Sequence, residues 1–515
     1  YLLMKENYQS LYEEYEDDRS LSKLKNYALW TIPGAFPDVN KDTQMKGNIA
    51  IEQDYQSIGA SLVNFLSSKL AGLLFPVTQS FFKIQPTDKL RALASNVMGV
   101  EETEVNNTLV NLENAACKVL YKNASYSQLI QMMRYLIITG NALFKRVNGK
   151  FTVYSLRNYA QLRDNEGTVL DIVLREDWAY SSLPDDVRKV IRQPQGTKDS
   201  EPVTVYTRIK REVVNGNVIQ VVSQQIDGVD IGKPSKYPEH LCPYHSVVWN
   251  LVNGDSNGRG LVEDHAGDFA RLSDLSRALA VYEIQSCKVI NVVKPGGSLD
   301  VDQMEEAASG DYVQGDPDNV RAHESGDYAK IQQLNATIQS ISQRLSVAFM
   351  YQGNTRDAER VTAEEIQRNA QEAESALGGV YSQLSQGIHL PLSYILTYEV
   401  DPKFMTAVIA GEVELEVITG LPALGRSTVV TQLIQASQEV AVVVPALTQM
   451  TARFDAEATI DLILQARGIN LKDIMLSKEA LEAKQKAQVQ AQAAQNAQMQ
   501  GIDPNAQVQA AQGIM

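Results

Sequence analysis

The sequence is short of cysteine, and this scarcity excludes one class of protein. Its 515 residues include only 3 cysteines, which lie far apart at Cys117, Cys242 and Cys287. An odd number of widely spaced cysteines cannot form the framework of a disulfide-rich secreted domain. We therefore predict a protein that folds in a reducing compartment without disulfides.

Long apolar runs and an excess of basic residues are also missing. No apolar run approaches the roughly 18 residues that a membrane helix needs, and no stretch has the pattern of a signal peptide. The 62 acidic residues outnumber the 47 basic ones, which gives a formal net charge of -15. A surface that wraps nucleic acid needs clustered lysine and arginine. The composition therefore predicts no membrane partner and argues against a protein that grips DNA.

Motifs for catalysis are absent, and those for metal binding are weak. The chain has no G-x-x-x-x-G-K-[ST], H-E-x-x-H or G-x-S-x-G sequence. His240, Cys242 and His245 could begin a zinc site, but no second half follows, so we favour a turn that enters a strand. Residues 253–264 resemble a calcium loop, but Arg259 occupies an oxygen-ligand position, which favours a turn into a helix.

One pair of carboxylates could be taken for an acid/base couple. Glu364 and Glu365 are adjacent, and neighbours on a helix diverge by about 100°. Thr362 and Glu365 have the spacing of a capping box, which explains Glu365 as a helix start. We predict that the protein is not an enzyme and needs no cofactor or metal.

The apolar pattern predicts an α+β fold that is mostly helical. Apolar residues recur at helical spacing between Ile58 and Leu73, and further amphipathic stretches cover 106–121 and 125–144. After Arg146, β-branched runs are separated by Asn-Gly at 148–149 and 215–216 and by Asp-Gly at 227–228. Because these dipeptides favour hairpin turns, we predict an antiparallel meander.

Two long helices are predicted to flank a compact insert. The first covers 261–287, and the insert at 288–326 is rich in glycine and proline. The second covers 327–352 and has a heptad-like seam suited to packing against a neighbouring helix, formed by Ile331, Leu334, Ile338, Ile341, Leu345 and Ala348.

A polar loop with both signs of charge follows at 353–361, before a further helical stretch from 362 to about 397. Its interior Gly378-Gly379 predicts a bend or a close helix contact, because glycine is unfavourable inside a helix. A small helical unit covers 420–476. The Gln/Ala-rich tail at 477–515 is either a helix stabilised by a partner or disordered.

A series of short motifs, in this order, carries a family resemblance. They are TIPGAFP (31–37), GASLVNFLSSKLAGLLFP (59–76), TGNALF (139–144), LPDDVRK (183–189), NGDSNGR (253–259), SCKVINVVKPGG (286–297), RLSVAFM (344–350), RVTAEEI (360–366), LGGVYSQLSQ (377–386) and LPL (390–392). The chain resembles the portal, or head-to-tail connector, proteins of podovirus-type phages, in particular the autographivirus group.

The resemblance implies the portal fold and its parts. Residues 1–260 would form the wing, with helices and antiparallel strands, and 362–419 would add a long kinked helix to it. The stem would be the helices at 261–287 and 327–352, and the clip the insert at 288–326. The tunnel loop would be 353–361, the crown 420–476, and the tail or barrel helix 477–515.

The resemblance also implies a function and partners. The protein would form a homo-oligomeric ring, a dodecamer, at one capsid vertex, through which double-stranded DNA is packaged and ejected. It would dock the terminase and then the tail adaptor, and would contact the major capsid protein and the scaffold and internal core proteins. It would assemble in the host cytoplasm and remain in the virion.

Two alternatives of other classes stay open at this point. A scaffold or internal core protein of the virion would explain the helices and the tail, but not the meander or the insert. A capsid-associated hydrolase is disfavoured by the missing motifs.

Candidate site residues follow from these assignments. The DNA-facing candidates of the tunnel loop are Asn354, Thr355, Arg356, Asp357, Glu359 and Arg360, although Arg356 and Arg360 could instead form salt bridges within the protein. The docking candidates of the clip are Lys294, Pro295, Gly296, Gly297, Asp311 and Tyr312. Because the chain is acidic, we expect a channel that repels the duplex and lets it slide.

Overall fold

Helices and antiparallel sheets alternate along the chain, in agreement with the predicted α+β class. The structure is a computed structural model, and it describes residues 6–16, 18–36, 53–77, 80–87, 102–122, 125–191, 202–286, 289–295, 301–312, 314–324, 328–351, 363–409 and 415–419. All of these lie in the first of two units, Tyr1–Leu424. The predictions for 420–476 and 477–515 lie outside the described residues.

The main core is built around the helices of the N-terminal third. These are α1 (Tyr8–Tyr15), α2 (Asp18–Leu29), α3 (Ile58–Leu74), α4 (Glu102–Tyr121) and α5 (Ser125–Thr139). The predicted helical stripe lies on α3, where Leu62, Leu66 and Leu70 are buried. Each fully buried leucine contributes about 1.5–3 kcal/mol relative to an exposed one. α3 packs on α5, whose Leu129, Met132 and Leu136 are also buried.

The predicted antiparallel meander is confirmed, but it divides into two sheets. β2 (Asn141–Val147) lies between β3 (Lys150–Tyr154) and β9 (Tyr244–Val248). The other sheet has five strands in chain order, β4 (Tyr159–Arg163), β5 (Val169–Ala179), β6 (Pro202–Val214), β7 (Asn217–Ile226) and β8 (Val229–Pro238). Between β5 and β6 lies the short helix α6 (Asp185–Val190).

The hairpin turns have the backbone that their sequences predict. Asn148, Asn215 and Asp227 all have positive φ, as do the glycines that follow them. A two-residue turn with positive φ at both positions matches the twist of the two strands that it joins. These turns set the register of β2 with β3, β6 with β7 and β7 with β8.

One small sheet joins distant parts of the chain and was not predicted. β1 (Phe82–Pro86) pairs antiparallel with β12 (Leu415–Thr419), so that Phe82 stands opposite Thr419. Each strand has five residues, and the pairing brings together segments that no hairpin turn connects. The sequence pattern has no local signal for such a contact.

The helical stretch predicted from 362 to about 397 is interrupted rather than simply bent. α11 (Ala363–Ala376) ends before Gly378 and Gly379, which have φ of 65° and 89°. A right-handed helix cannot continue through two left-handed residues. Glu374 spans the break, because its carboxylate accepts a hydrogen bond from the Ser382 backbone N–H at 2.9 Å.

Four short segments follow the break. They are α12 (Val380–Leu384), a π-helical turn (Ser385–His389), α13 (Leu390–Val400) and α14 (Pro402–Ile409). Arg146 of β2 anchors α13 to the three-stranded sheet. Its guanidinium donates to both carboxylate oxygens of Glu399, at 2.9 and 2.7 Å.

The π-helical turn buries a histidine in an aromatic environment. The His389 ring lies 5.2 Å from Phe75 and 4.8 Å from Phe81, measured between ring centroids, and its Nδ1 lies 2.9 Å from Ser385 Oγ. Burial penalises the charged imidazolium and lowers the pKa of His389 from 6.5 to about 3. His389 is therefore neutral in the folded protein at physiological pH.

We expect His389 to make the fold sensitive to mild acid. Below about pH 6.5, His389 binds a proton in the unfolded chain but not in the folded protein. The stabilisation present above pH 6.5 is therefore lost as the pH falls. One such histidine contributes up to about 1.4 kcal/mol per pH unit to this loss. The melting temperature of His389→Gln should fall less between pH 7 and 5 than that of wild type. His240→Gln, at a half-buried surface histidine, is the control, and equal slopes for wild type and His389→Gln would contradict the assignment.

Candidate functional site

Two long helices, α8 (Ala266–Ser286) and α10 (Tyr328–Ala348), pack against each other in opposite directions. The ring of Phe269, near the start of α8, contacts that of Phe349, just after the end of α10, edge to face at 5.7 Å. At the same end, Arg344 Nη2 donates to Asp268 Oδ1 at 2.6 Å. We call this end the base of the helix pair.

The six residues of the predicted seam lie along α10 with graded burial. Ile341 and Leu345 are fully buried and belong to the main core, together with Leu272 of α8. The other four are half-buried, and they are Ile331, Leu334, Ile338 and Ala348. The base is therefore anchored in the core, whereas the far half of the pair is only partly covered.

The insert between the two helices contains a two-stranded ribbon. β10 (Val289–Val293) pairs antiparallel with β11 (Val320–Glu324), and Lys294 N donates to Asn319 O at 2.9 Å. The short helix α9 (Val301–Glu306) lies between the two strands in sequence. The glycines and prolines of the insert correctly indicated turns. The two strands were not predicted, because each has only five residues and no hairpin turn connects them.

Four of the six docking candidates of the insert can be placed. Lys294, Pro295, Asp311 and Tyr312 are all exposed, and Tyr312 is as exposed as in an extended chain, at 103%. The carboxylate of Asp311 accepts a hydrogen bond from Ala308 N at 2.8 Å, which holds its own turn. Gly296 and Gly297 lie outside the described residues.

The six DNA-facing candidates also lie outside the described residues. They are Asn354, Thr355, Arg356, Asp357, Glu359 and Arg360. The structure describes the chain up to Tyr351 and again from Ala363, where α11 begins. The predicted cap at Thr362 lies outside the described residues too.

A close backbone contact holds the start of the helix pair against β2. The side chain of Asn141 accepts from Gly258 N at 2.7 Å and donates to Gly258 O at 2.8 Å. A Cβ on Gly260 would lie 2.6 Å from Ile137 O, so only glycine fits there. The predicted turn into a helix is confirmed, since α7 (Leu261–Asp264) follows at once. The contact joins two motifs that lie more than a hundred positions apart in the sequence.

The histidines near Cys242 do not form a metal site. A short turn, Glu239–Leu241, leads into β9, as the turn interpretation predicts. His240 stacks on Tyr394 at 5.1 Å, and burial lowers the pKa of His245 to about 4. Within the described ranges, no group of three or more metal-ligating side chains comes together. In that same part of the chain, no helix is long and apolar enough to cross a membrane.

Comparison with known proteins gives matches over nearly the whole chain. A family described as bacteriophage head to tail connecting protein matches residues 5–475. The portal protein of Pseudomonas phage phiKMV is 38% identical over 97% of this chain and 98% of its own length. The portal protein of Escherichia phage T7 is 30% identical over 99% of this chain and 94% of its own length.

A solved structure, the neck of an empty gene transfer agent particle, is 13% identical. It covers 81% of this chain and 90% of its own, at a TM-score of 0.38.

We expect Gly260→Ala to loosen the helix pair from the core. The added methyl would meet backbone atoms of residues 137–140 that cannot move aside, so the free energy of unfolding should fall by about 1–3 kcal/mol. Gly267→Ala is the matched control, because Gly267 lies on α8 with nothing within 4 Å of its added methyl. There alanine should stabilise the helix by up to about 1 kcal/mol. Denaturant midpoints measure both changes, and a Gly260→Ala variant as stable as Gly267→Ala would contradict the close contact.

Proposed function

The chain belongs to the family of bacteriophage head-to-tail connecting proteins, and on this premise we propose that it forms the twelve-subunit ring through which the phage genome is packaged and ejected. Portal proteins match it over nearly its whole length, so it is a structural connector of the virion and not an enzyme. The predicted family is confirmed, and the scaffold and hydrolase alternatives are set aside.

The observation that supports ring assembly most directly is the surface of the helix pair. Val281 and Ile284 on the far half of α8 are 47% and 66% exposed, and the seam residues beside them are only half-buried. A protomer alone leaves this apolar surface in water, which is unfavourable. Side-by-side packing of helix pairs in a closed ring would cover it without leaving an unmatched edge.

We assign the parts of the ring along the bounds predicted from sequence. The wing is 1–260 with 362–419, the stem is 261–287 with 327–352, and the clip is 288–326. α8 and α10 support the stem assignment, and the β10–β11 ribbon with α9 supports a separate clip. The tunnel loop at 353–361, the crown at 420–476 and the barrel helix at 477–515 remain assignments by family resemblance.

The clip is the proposed docking surface for the terminase during packaging and for the tail adaptor afterwards. In the described part of the clip, the large apolar side chains that are exposed are Val292, Val301, Met304 and Tyr312. A protruding tyrosine is the kind of residue that dominates binding energy at protein interfaces. The capsid and the scaffold and internal core proteins would contact other parts of the ring, which would assemble in the host cytoplasm.

We expect purified protein to form closed rings without any other phage component, and Leu345→Asp to prevent this. A charge buried in the base of the seam should cost several kcal/mol per subunit. Ile331→Asp places the charge at the half-buried far end of the pair. Because Ile331 lies outside the main core, the protomer should stay folded in this variant. Val347→Asp, at a residue that is 76% exposed, is the control and should form rings. Mass photometry measures the ring population, and wild-type ring yields for Leu345→Asp would show that the packing assignment is wrong.

Tyr312→Ala should leave ring assembly intact and weaken binding of the tail adaptor. Loss of a central aromatic contact typically costs about 2 kcal/mol or more, which is a factor of roughly 30 in affinity. Tyr398→Ala removes an exposed tyrosine on α13 and is the matched control. Titration of immobilised rings with the adaptor measures both, and unchanged affinity for Tyr312→Ala would place the docking site elsewhere.

A further inference from the structure

The face of α10 opposite its seam is exposed and carries no charge. At about 100° per residue, the side chains that point most directly away from the seam are those of Gln332, Ala336, Gln339, Ser340, Gln343 and Val347, and all are exposed. The 21 residues of α10 include no aspartate or glutamate. Its two cations are off this stripe, since Lys330 lies on the seam side of the helix and Arg344 lies at its flank, where it pairs with Asp268.

The outward face of α8 has a different character. Asp274, Arg277 and Val281 point away from the buried Phe269 and Leu272, Ile284 lies at the flank of this face, and all four are exposed. Exposed β-branched side chains favour contact with another protein surface over a water-filled channel. The two helices therefore present unlike faces, one neutral and polar, the other apolar and charged.

We propose that the neutral face of α10 lines the channel and is the stem surface past which the duplex slides, while the outward face of α8 packs on a neighbouring subunit. The proposal rests on the proposed function. The order of the chain supports it, because residues 353–361, assigned to the tunnel loop, follow α10 within a few residues.

A neutral face suits a conduit better than either sign of charge. Each lysine or arginine that neutralises a phosphate adds affinity and a salt dependence with a slope near −0.9 per contact. A dense acidic ring would oppose entry of the duplex at distances within about 8 Å. From Gln332 to Val347 the face extends about 23 Å at 1.5 Å per residue. Amide and hydroxyl groups along it hold water and change the energy of the DNA little as it moves.

This refines the expectation of an acidic channel drawn from the net charge. The overall charge of -15 is not carried by the described side chains of α10. Of the two long helices, α8 is the one that carries acidic residues, and there Asp268 pairs with Arg344. In the stem, therefore, the duplex slides because the channel wall binds it only weakly, and not because the wall repels it.

The test compares the same substitution on the two faces in assembled rings. Gln339→Lys would place a ring of positive charge on the neutral face, and Gln285→Lys would place the same charge at an exposed glutamine on α8. We expect Gln339→Lys rings to retain a short linear duplex roughly tenfold more tightly at low salt, and to lose this gain as salt rises. Gln343→Lys, one turn further along α10, should behave alike. Gln285→Lys would place its charge at the contact between subunits and not in the channel, so the rings that assemble should retain the duplex no more tightly than wild type.

Packaging into procapsids gives the second readout. Slower packaging by Gln339→Lys, with a normal rate for Gln285→Lys, supports the proposal. A gain in retention for Gln285→Lys but not for Gln339→Lys would show that α8 lines the channel and would overturn it. So would wild-type behaviour of all three variants in rings that package DNA normally. Wild-type rings that fail to package DNA would instead contradict the proposed function itself.

Discussion

Burial of the base of the helix pair in the main core is the interaction on which the rest of the molecule depends. Leu272 of α8 and Ile341 and Leu345 of α10 are part of the same apolar core as the N-terminal helices. The close approach of Gly260 to the end of α5 holds the chain just before α8. With this base fixed, the positions of the insert and of both outward faces follow from helix geometry alone.

The same arrangement leaves the far half of the pair incomplete. Burial along α10 decreases from Leu345 towards Ile331. Packing near Ile331 therefore adds little to the stability of a single protomer. A helix pair of this kind acquires its remaining stability from neighbours, because apolar burial is the main favourable contribution in both folding and assembly. Folding at the base and assembly at the far half are therefore separate stages with separate contacts.

Local patterns could be predicted from sequence, and contacts between distant segments could not. The stripe on α3, the seam on α10 and the three hairpin turns each depend on residues within a few positions of one another. The pairing of β1 with β12, the bond between Asn141 and Gly258 and the Arg146–Glu399 ion pair join residues more than a hundred positions apart. Gly378-Gly379 predicted a bend or a close helix contact, but only the observed φ values show that the helix ends there. For the helix pair itself, the heptad pattern indicated which residues face inward but not how deeply each is buried.

Hydrogen exchange along α10, in dilute protomers and in assembled rings, tests the central claim most directly. If neighbours complete the helix pair, amides of residues 330–338 should exchange at least roughly tenfold more slowly in the ring, whereas those of 341–348 should be protected in both states. Equal exchange rates for residues 330–338 in protomer and ring would contradict the account, because assembly would then not stabilise the far half of the pair.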